Sequence, residues 1–168
     1  MENKPINDFF CSLFQSPIGE ILIFWEKEGI FEVSFIKKDS EKRISCLTNS
    51  GYKIKFKTSP IDSQLKEYFE GRRKFFLAPL ILNGTPYQKR VWEETLKIPY
   101  GETCSYIELA RRIGNPMGSR SVGTALKLNH LSIIIPCHRV IRNSGELGSY
   151  TGGSFRKRWL LMHEYKHK

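Results

Sequence analysis

Three short apolar-rich segments follow one another near the start of the chain: "FFCSLFQ" (9–15), "EILIFWE" (20–26) and "IFEVSFI" (30–36). The last alternates apolar and polar positions, the period of two that belongs to strands. "SPIG" and "EKEG" between them have turn chemistry, so the stretch predicts a three-stranded antiparallel meander. "YKIKFKT" (52–58) alternates strictly and is a candidate fourth strand. Beyond Pro60 the period lengthens. Ile61, Leu65 and Phe69 stand at helical spacing in "IDSQLKEYFEGRRK", and Gly71 is a stop signal. "RKFFLAPLILNG" (73–84) then reads as a linker.

From residue 85 onward the pattern is helical. "GTPYQKRVWEETLKIPYG" opens with a capping box, Thr85 as N-cap and Gln88 three residues later, with Pro86 at the first helical position. "CSYIELARRIG" carries a second box, Ser105 with Glu108, and stops at "GNPMG". "SRSVGTALKLN" predicts a third helix. The last two have the size and order of a helix-turn-helix. Ile107, Ala110 and Ile113 are expected to form one packed stripe, and Val122, Ala125 and Leu126 another. The small residues Gly118, Ser119, Ser121 and Gly123 suit close approach to another backbone, with Arg120 the one long side chain among them. Ordinary packed helices would also fit. The predicted architecture is α/β (α+β): an N-terminal lobe over 1–80 with a small antiparallel sheet plus helix, and a mostly helical C-terminal lobe over 85–168 with a helix-turn-helix.

Composition narrows the class. At 40% hydrophobic residues the chain can build a packed core, and no apolar run nears the roughly 20 residues of a membrane span. The opening "MENKPINDFF" lacks a basic-then-apolar leader pattern, so a cytoplasmic location and no membrane partner are expected. Cys11, Cys46, Cys104 and Cys137 are scattered without a CxxC pair, which argues against a disulfide framework or a zinc site; no metal or cofactor is expected. Charge is uneven. Residues 1–85 carry 13 basic against 11 acidic side chains, and residues 86–168 carry 14 against 6, most of the net +10. An acidic partner, nucleic acid first, is expected on the C-terminal half.

The chemistry concentrates in "SIIIPCHRVI" (132–141), where an apolar run ends in a thiol beside an imidazole and a guanidinium. A free thiol with a pKa near 8.5 is only about 3% thiolate at pH 7. His138 offers a base, and Glu164 in "WLLMHEYK" is a carboxylate that could orient it, a nucleophile–base–orienter pattern. Complete ionisation would raise thiolate only about 30-fold, so positioning and leaving-group protonation would carry most of any acceleration. A structural cysteine is the plainer reading of the same residues. For Arg139 a structural ion pair and a phosphate contact are both open.

"PCHRV", the preceding "NHLSIII", the following "GSYTGG" and the terminal "WLLMHE" together resemble the O6-alkylguanine-DNA alkyltransferases, or methylated-DNA–protein-cysteine methyltransferases, over nearly all of residues 85–168. The resemblance implies irreversible, single-turnover transfer of an alkyl group from O6 of guanine, less readily O4 of thymine, in duplex DNA onto Cys137, by a monomer without cofactor. His138 would act as base through a bound water, with Glu164 orienting it. The target nucleotide would be flipped out of the helix. Arg120 would fill its place, with Ser119 also on the DNA, and Tyr106 would promote rotation and donate to N3. The carbonyls of Cys137 and Val140 would accept from the exocyclic amine, and the Thr151 N–H would donate to O6. Leu126 and Tyr150 would line the pocket, Gly152 and Gly153 would let its wall approach, and Asn129 would brace the turn to the active site. Two readings compete: a helix-turn-helix regulator without catalysis, and a thiol hydrolase with repeated turnover.

Overall fold

The computed structural model describes residues 8–36 and 53–168; Cys46 and Tyr52 lie outside them. Strands β1 (Asp8–Ser16), β2 (Gly19–Glu26) and β3 (Gly29–Phe35) form the expected antiparallel meander. β4 (Lys53–Phe56) joins it, but parallel to β1, in the order β3-β2-β1-β4. The sheet is therefore mixed, where an antiparallel one was expected. Alternation marks a strand but carries no information on its partner's direction, and parallel pairing needs only a long enough connection.

β2 is interior, and its apolar run is buried on both faces. Ile21, Ile23 and Trp25 join the main core, while Leu22 and Phe24 pack with Cys11 on the other face. Helix α1 (Asp62–Phe69) buries Leu65 and Tyr68, together with the preceding Ile61. Phe69, expected on that stripe, is half-buried and stacks on Phe14 instead. Residues 73–84 are not a free linker. Gln64 bonds both backbone groups of Leu77, and Ile30 bonds Pro79 and Ile81.

Both capping boxes form: Thr85 with Gln88 starts α2 (Pro86–Leu96), and Ser105 with Glu108 starts α3 (Tyr106–Arg112). Helix α4 (Ser119–Lys127) follows after the turn, burying Val122, Ala125 and Leu126 as expected. On α3 the buried pair is Leu109 and Ala110, while Ile107 and Ile113 are only half-buried. The Trp92 indole on α2 donates to the Ala125 carbonyl at 2.9 Å, locking α2 against α4.

A two-stranded parallel pair, β5 (Cys104–Ser105) and β6 (Val140–Ile141), ties the start of α3 to the segment after Cys137. Helix α5 (Ser154–Lys166) closes the chain. One apolar cluster runs from Ile21 on the sheet to Leu160 on α5, so the two lobes share a core. Their backbones also bond: Val33 N donates to His130 O at 2.7 Å, and Ser132 N donates to Val33 O at 2.8 Å. Among the described residues, no helix is long and apolar enough to cross a membrane.

Candidate active site

The run Leu131–Ile135 is wholly buried, as its apolar character dictates. It is not a simple extended strand. Ile133 has φ +73°, a conformation that costs a β-branched residue on the order of 1–3 kcal/mol. The turn is held by the Ile135 N–H donating to Leu131 O at 2.9 Å. This reversal delivers Pro136 and then a short 3-10 turn, Cys137–Arg139, all three of whose side chains are buried. Asn129 braces the turn. Its Nδ2 reaches Cys137 Sγ at 2.9 Å and Ile135 O at 3.3 Å, and its Oδ1 accepts from Leu131 N.

Burial pushes the Cys137 thiol up to about 12, although Asn129 and the Lys157 charge pull the other way. The resting group is therefore a neutral thiol. Lys157 on α5 is fully buried, and its Nζ donates to the carbonyls of Val140 (2.6 Å) and Ser149 (3.4 Å). Burial lowers its pKa to about 8, against the opposing pull of a Cys137 thiolate.

His138 and Glu164 are both completely buried and meet at 2.7 Å, Nε2 to Oε1. Burial lowers the histidine pKa more than Glu164 raises it. Burial would also raise the carboxyl of Glu164, but His138 and Arg139 outweigh it and hold the group well below the usual carboxylate range. With Glu164 anionic, Nε2 carries the proton and donates. Nδ1 is then the free lone pair, buried with no hydrogen-bond partner among the described residues.

Arg139 settles as the ion pair. Its Nε and Nη2 donate to Glu164 at 2.8 and 3.0 Å, and Nη1 donates to Ile98 O at 2.6 Å. Every nitrogen is thus used inside the protein. Glu164 also accepts from the Tyr68 hydroxyl at 2.7 Å and the Gly101 N–H at 3.1 Å.

Beside this centre, Tyr106, Ser119, Arg120, Gly123, Lys127, Arg142 and Gly148 line a cleft of about 500 Å³. Arg120 is exposed at the start of α4. Tyr106 opens α3, and its hydroxyl donates to Ser149 O at 3.4 Å. Burial raises its phenol pKa, and a charge on Cys137 would raise it further. A Cβ on Gly148 would lie 2.9 Å from the Tyr106 hydroxyl, and one on Gly152 would lie 2.6 Å from the Tyr150 ring. Neither wall accepts a side chain. Tyr150 meets His138 edge-on at 6.3 Å, Leu126 is buried, and exposed Thr151 donates through Oγ1 to Lys127 O at 3.0 Å. A larger apolar cleft of about 670 Å³, lined by Trp159, Met162 and Tyr165 among others, holds none of these groups.

The structure thus brings Cys137, His138, Glu164, Asn129 and Val140 into one buried centre and sets Tyr106, Ser119 and Arg120 along the adjoining cleft. Sequence reasoning missed Tyr68 and Lys157. Lys157 shares its face of α5 with Leu160, His163 and Glu164, so periodicity did not mark it; Tyr68 had no signal either, standing 96 residues from its partner.

A helix-turn-helix set against a buried thiol, with a histidine–glutamate pair behind it, defines a class of thiol-bearing DNA-acting proteins. Within that class the chain belongs to the 6-O-methylguanine DNA methyltransferase family. The family's ribonuclease-like domain matches residues 9–82 and its DNA binding domain residues 86–166. A methylated-DNA–protein-cysteine methyltransferase of Methanosarcina acetivorans is 42% identical over 157 residues, 92% of this chain and 97% of the relative. The constitutive protein of that name from Bacillus subtilis is 36% identical, covering 92% and 96%. The crystal structure of Mycobacterium tuberculosis O6-methylguanine methyltransferase superposes with a TM-score of 0.84 at 37% identity, covering 95% and 94%; the same protein in complex with DNA gives 0.82 at 36%, covering 95% and 94%.

Proposed function

We propose that this protein repairs O6-alkylguanine in duplex DNA by moving the alkyl group onto Cys137, once per molecule and without a cofactor. The observation that carries the reading is the buried thiol held by Asn129, one residue from a histidine whose Nδ1, an acceptor, is unpartnered among the described residues. O4-alkylthymine is the poorer substrate. The protein acts as a monomer on DNA in the cytoplasm.

A thiol at pKa about 12 is ionised to only roughly one part in 100,000 at pH 7. The resting thiol is therefore neutral, and deprotonation belongs to the reaction itself. His138 Nδ1 takes the proton through one bridging water, and Glu164, held ionised by Arg139, stabilises the imidazolium. The sulfur–carbon bond forms as the carbon–O6 bond breaks, and the guanine anion takes a proton back, so the thiol proton ends on the base. Lys157 supplies positive charge near the developing thiolate and fixes the Val140 carbonyl, which accepts from the exocyclic amine with that of Cys137. The Thr151 N–H donates to O6, and Leu126 and Tyr150 form the pocket walls. A thioether has no easy leaving route, which makes the transfer terminal.

The base reaches this centre by leaving the stack, an unstacking cost of a few kcal/mol that an inserted side chain offsets. Arg120, exposed at the start of α4, takes that role, while Ser119 contacts the backbone and Tyr106, which lines the cleft, turns the nucleotide. The test is incubation with duplex DNA carrying O6-methylguanine, followed by intact mass and peptide mapping. One methyl group per chain, on the Cys137 peptide, is expected; repeated turnover or an unmodified Cys137 after repair would overturn the reading.

Arg120→Ala is expected to slow repair in duplex at least about ten-fold, while reaction with the free modified base changes less than about two-fold. The comparison of the two single-turnover rates checks this; equal losses on both substrates would reject the insertion role.

A further inference from the structure

The Tyr68 hydroxyl shares Glu164 Oε1 with His138 Nε2. Both donors sit at 2.7 Å, and Arg139 Nη2 is the third on that oxygen at 3.0 Å. Oε2 is held separately by Arg139 Nε and the Gly101 N–H. Tyr68 comes from α1 in the N-terminal lobe and is completely buried. It has no freedom to leave. Its ring packs against Phe76 and, edge-on, Tyr100, and its carbonyl accepts from His163 Nε2 at 2.7 Å. Burial and the adjacent Glu164 raise its pKa well above the ordinary phenol value, so it stays a donor at every working pH.

We infer that Tyr68 is a positioning residue of the transfer reaction: its hydroxyl fixes the corner of Glu164 that His138 uses and sets how readily His138 accepts a proton. This rests on the reading of His138 as the base. A donor on a carboxylate oxygen draws off negative charge that would otherwise stabilise the imidazolium. Tyr68 thereby keeps His138 from being protonated in the resting state, while holding Oε1 where the imidazolium will need it. The other groups facing the pair are accounted for. Arg139 and Lys157 are cations that lower the His138 pKa, and Tyr100, Tyr150, His163 and Cys137 stand around it as groups neutral in the resting protein. None of these replaces the Tyr68 hydrogen bond on Oε1.

The sign follows directly. Without the Tyr68 hydroxyl, Glu164 stabilises the imidazolium more, so the His138 pKa rises and the acid limb of the transfer rate moves to higher pH. Tyr68→Phe keeps the ring contacts. It is expected to raise the His138 titration midpoint by about half a unit or more, move its Nε2 proton resonance, and slow single-turnover transfer about three- to ten-fold, with lesion-duplex affinity changed less than about two-fold. Placing 3,5-difluorotyrosine at position 68 keeps the shape but donates more strongly, and should move the midpoint the opposite way. Imidazole NMR on the DNA-free protein reads both effects, and methylation of wild-type Cys137 tests the parent reading separately. Shifts of opposite sign in the two variants support the inference. Unmoved His138 signals, or shifts of the same sign, overturn it, whatever the rates do. If the phenylalanine variant does not fold, the fluorinated protein alone decides by the same signals.

Discussion

Cys137→Ser should produce no covalent product at any time of incubation, while binding to lesion-bearing duplex stays within a few-fold of wild type. The hydroxyl keeps an acceptor for Asn129 Nδ2, so the brace on the turn survives. What is lost is the nucleophile. Even the native thiol is held near a pKa of about 12 by burial, and an alcohol in the same place is harder still to ionise. A loss beyond about four orders of magnitude in transfer rate is expected, against an unaltered cleft. Intact mass after reaction reads the first arm and a fluorescence-anisotropy titration the second. A methyl group found on another residue of the serine variant would displace Cys137 from its role.

Glu164→Ala should be the most destabilising single change in the site. The carboxylate accepts from His138, Tyr68, Gly101 and twice from Arg139, all in the interior. Removing it strands a buried guanidinium, a loss on the order of 3–5 kcal/mol, or about 6–20 °C in Tm for a chain of this size. The gap should depend on pH in a definite direction. The folded-state pKa of Glu164 lies far below its ordinary value of 4.5, so its stabilisation is fully present above about pH 4.5 and is lost as pH falls toward the folded value. Thermal melts of both proteins from pH 7 to pH 3 should therefore draw together below about pH 4.5, the gap narrowing without closing. A constant Tm difference would mean that the ion pair contributes little.

Much of this was legible in the residues, for identifiable reasons. Capping boxes are local devices, four residues long, and both helices they announced are present. The meander strands are joined by two-residue turns, so pattern and pairing coincide. His138 and Glu164 were named from their chemistry and do meet, while Cys137, next in the chain to His138, is bonded to Asn129. Pairing over long separations was not legible: the parallel partner of β4, the strip from 73 to 84 along β3, and Tyr68 under Glu164. Arg139 was visible as a residue but not as a role, since only the fold decides whether a guanidinium beside a cysteine faces solvent or a carboxylate. On α5, Lys157, His163 and Glu164 occupy the buried face, where periodicity assigns apolar residues, because their partners lie on other elements.

The backbone bonds between Val33 and the segment His130–Ser132 carry one more implication. They make the stretch leading to the reactive cysteine the cover over one border of the sheet, while Lys55 and Lys57 mark the opposite border, a position where lysines discourage strand addition. Solubility and chemistry are thus coupled through a single segment. A variant that loosens residues 130–132 would bare the outer edge of β3 around Val33 and announce its defect as self-association, before any loss of repair was measured.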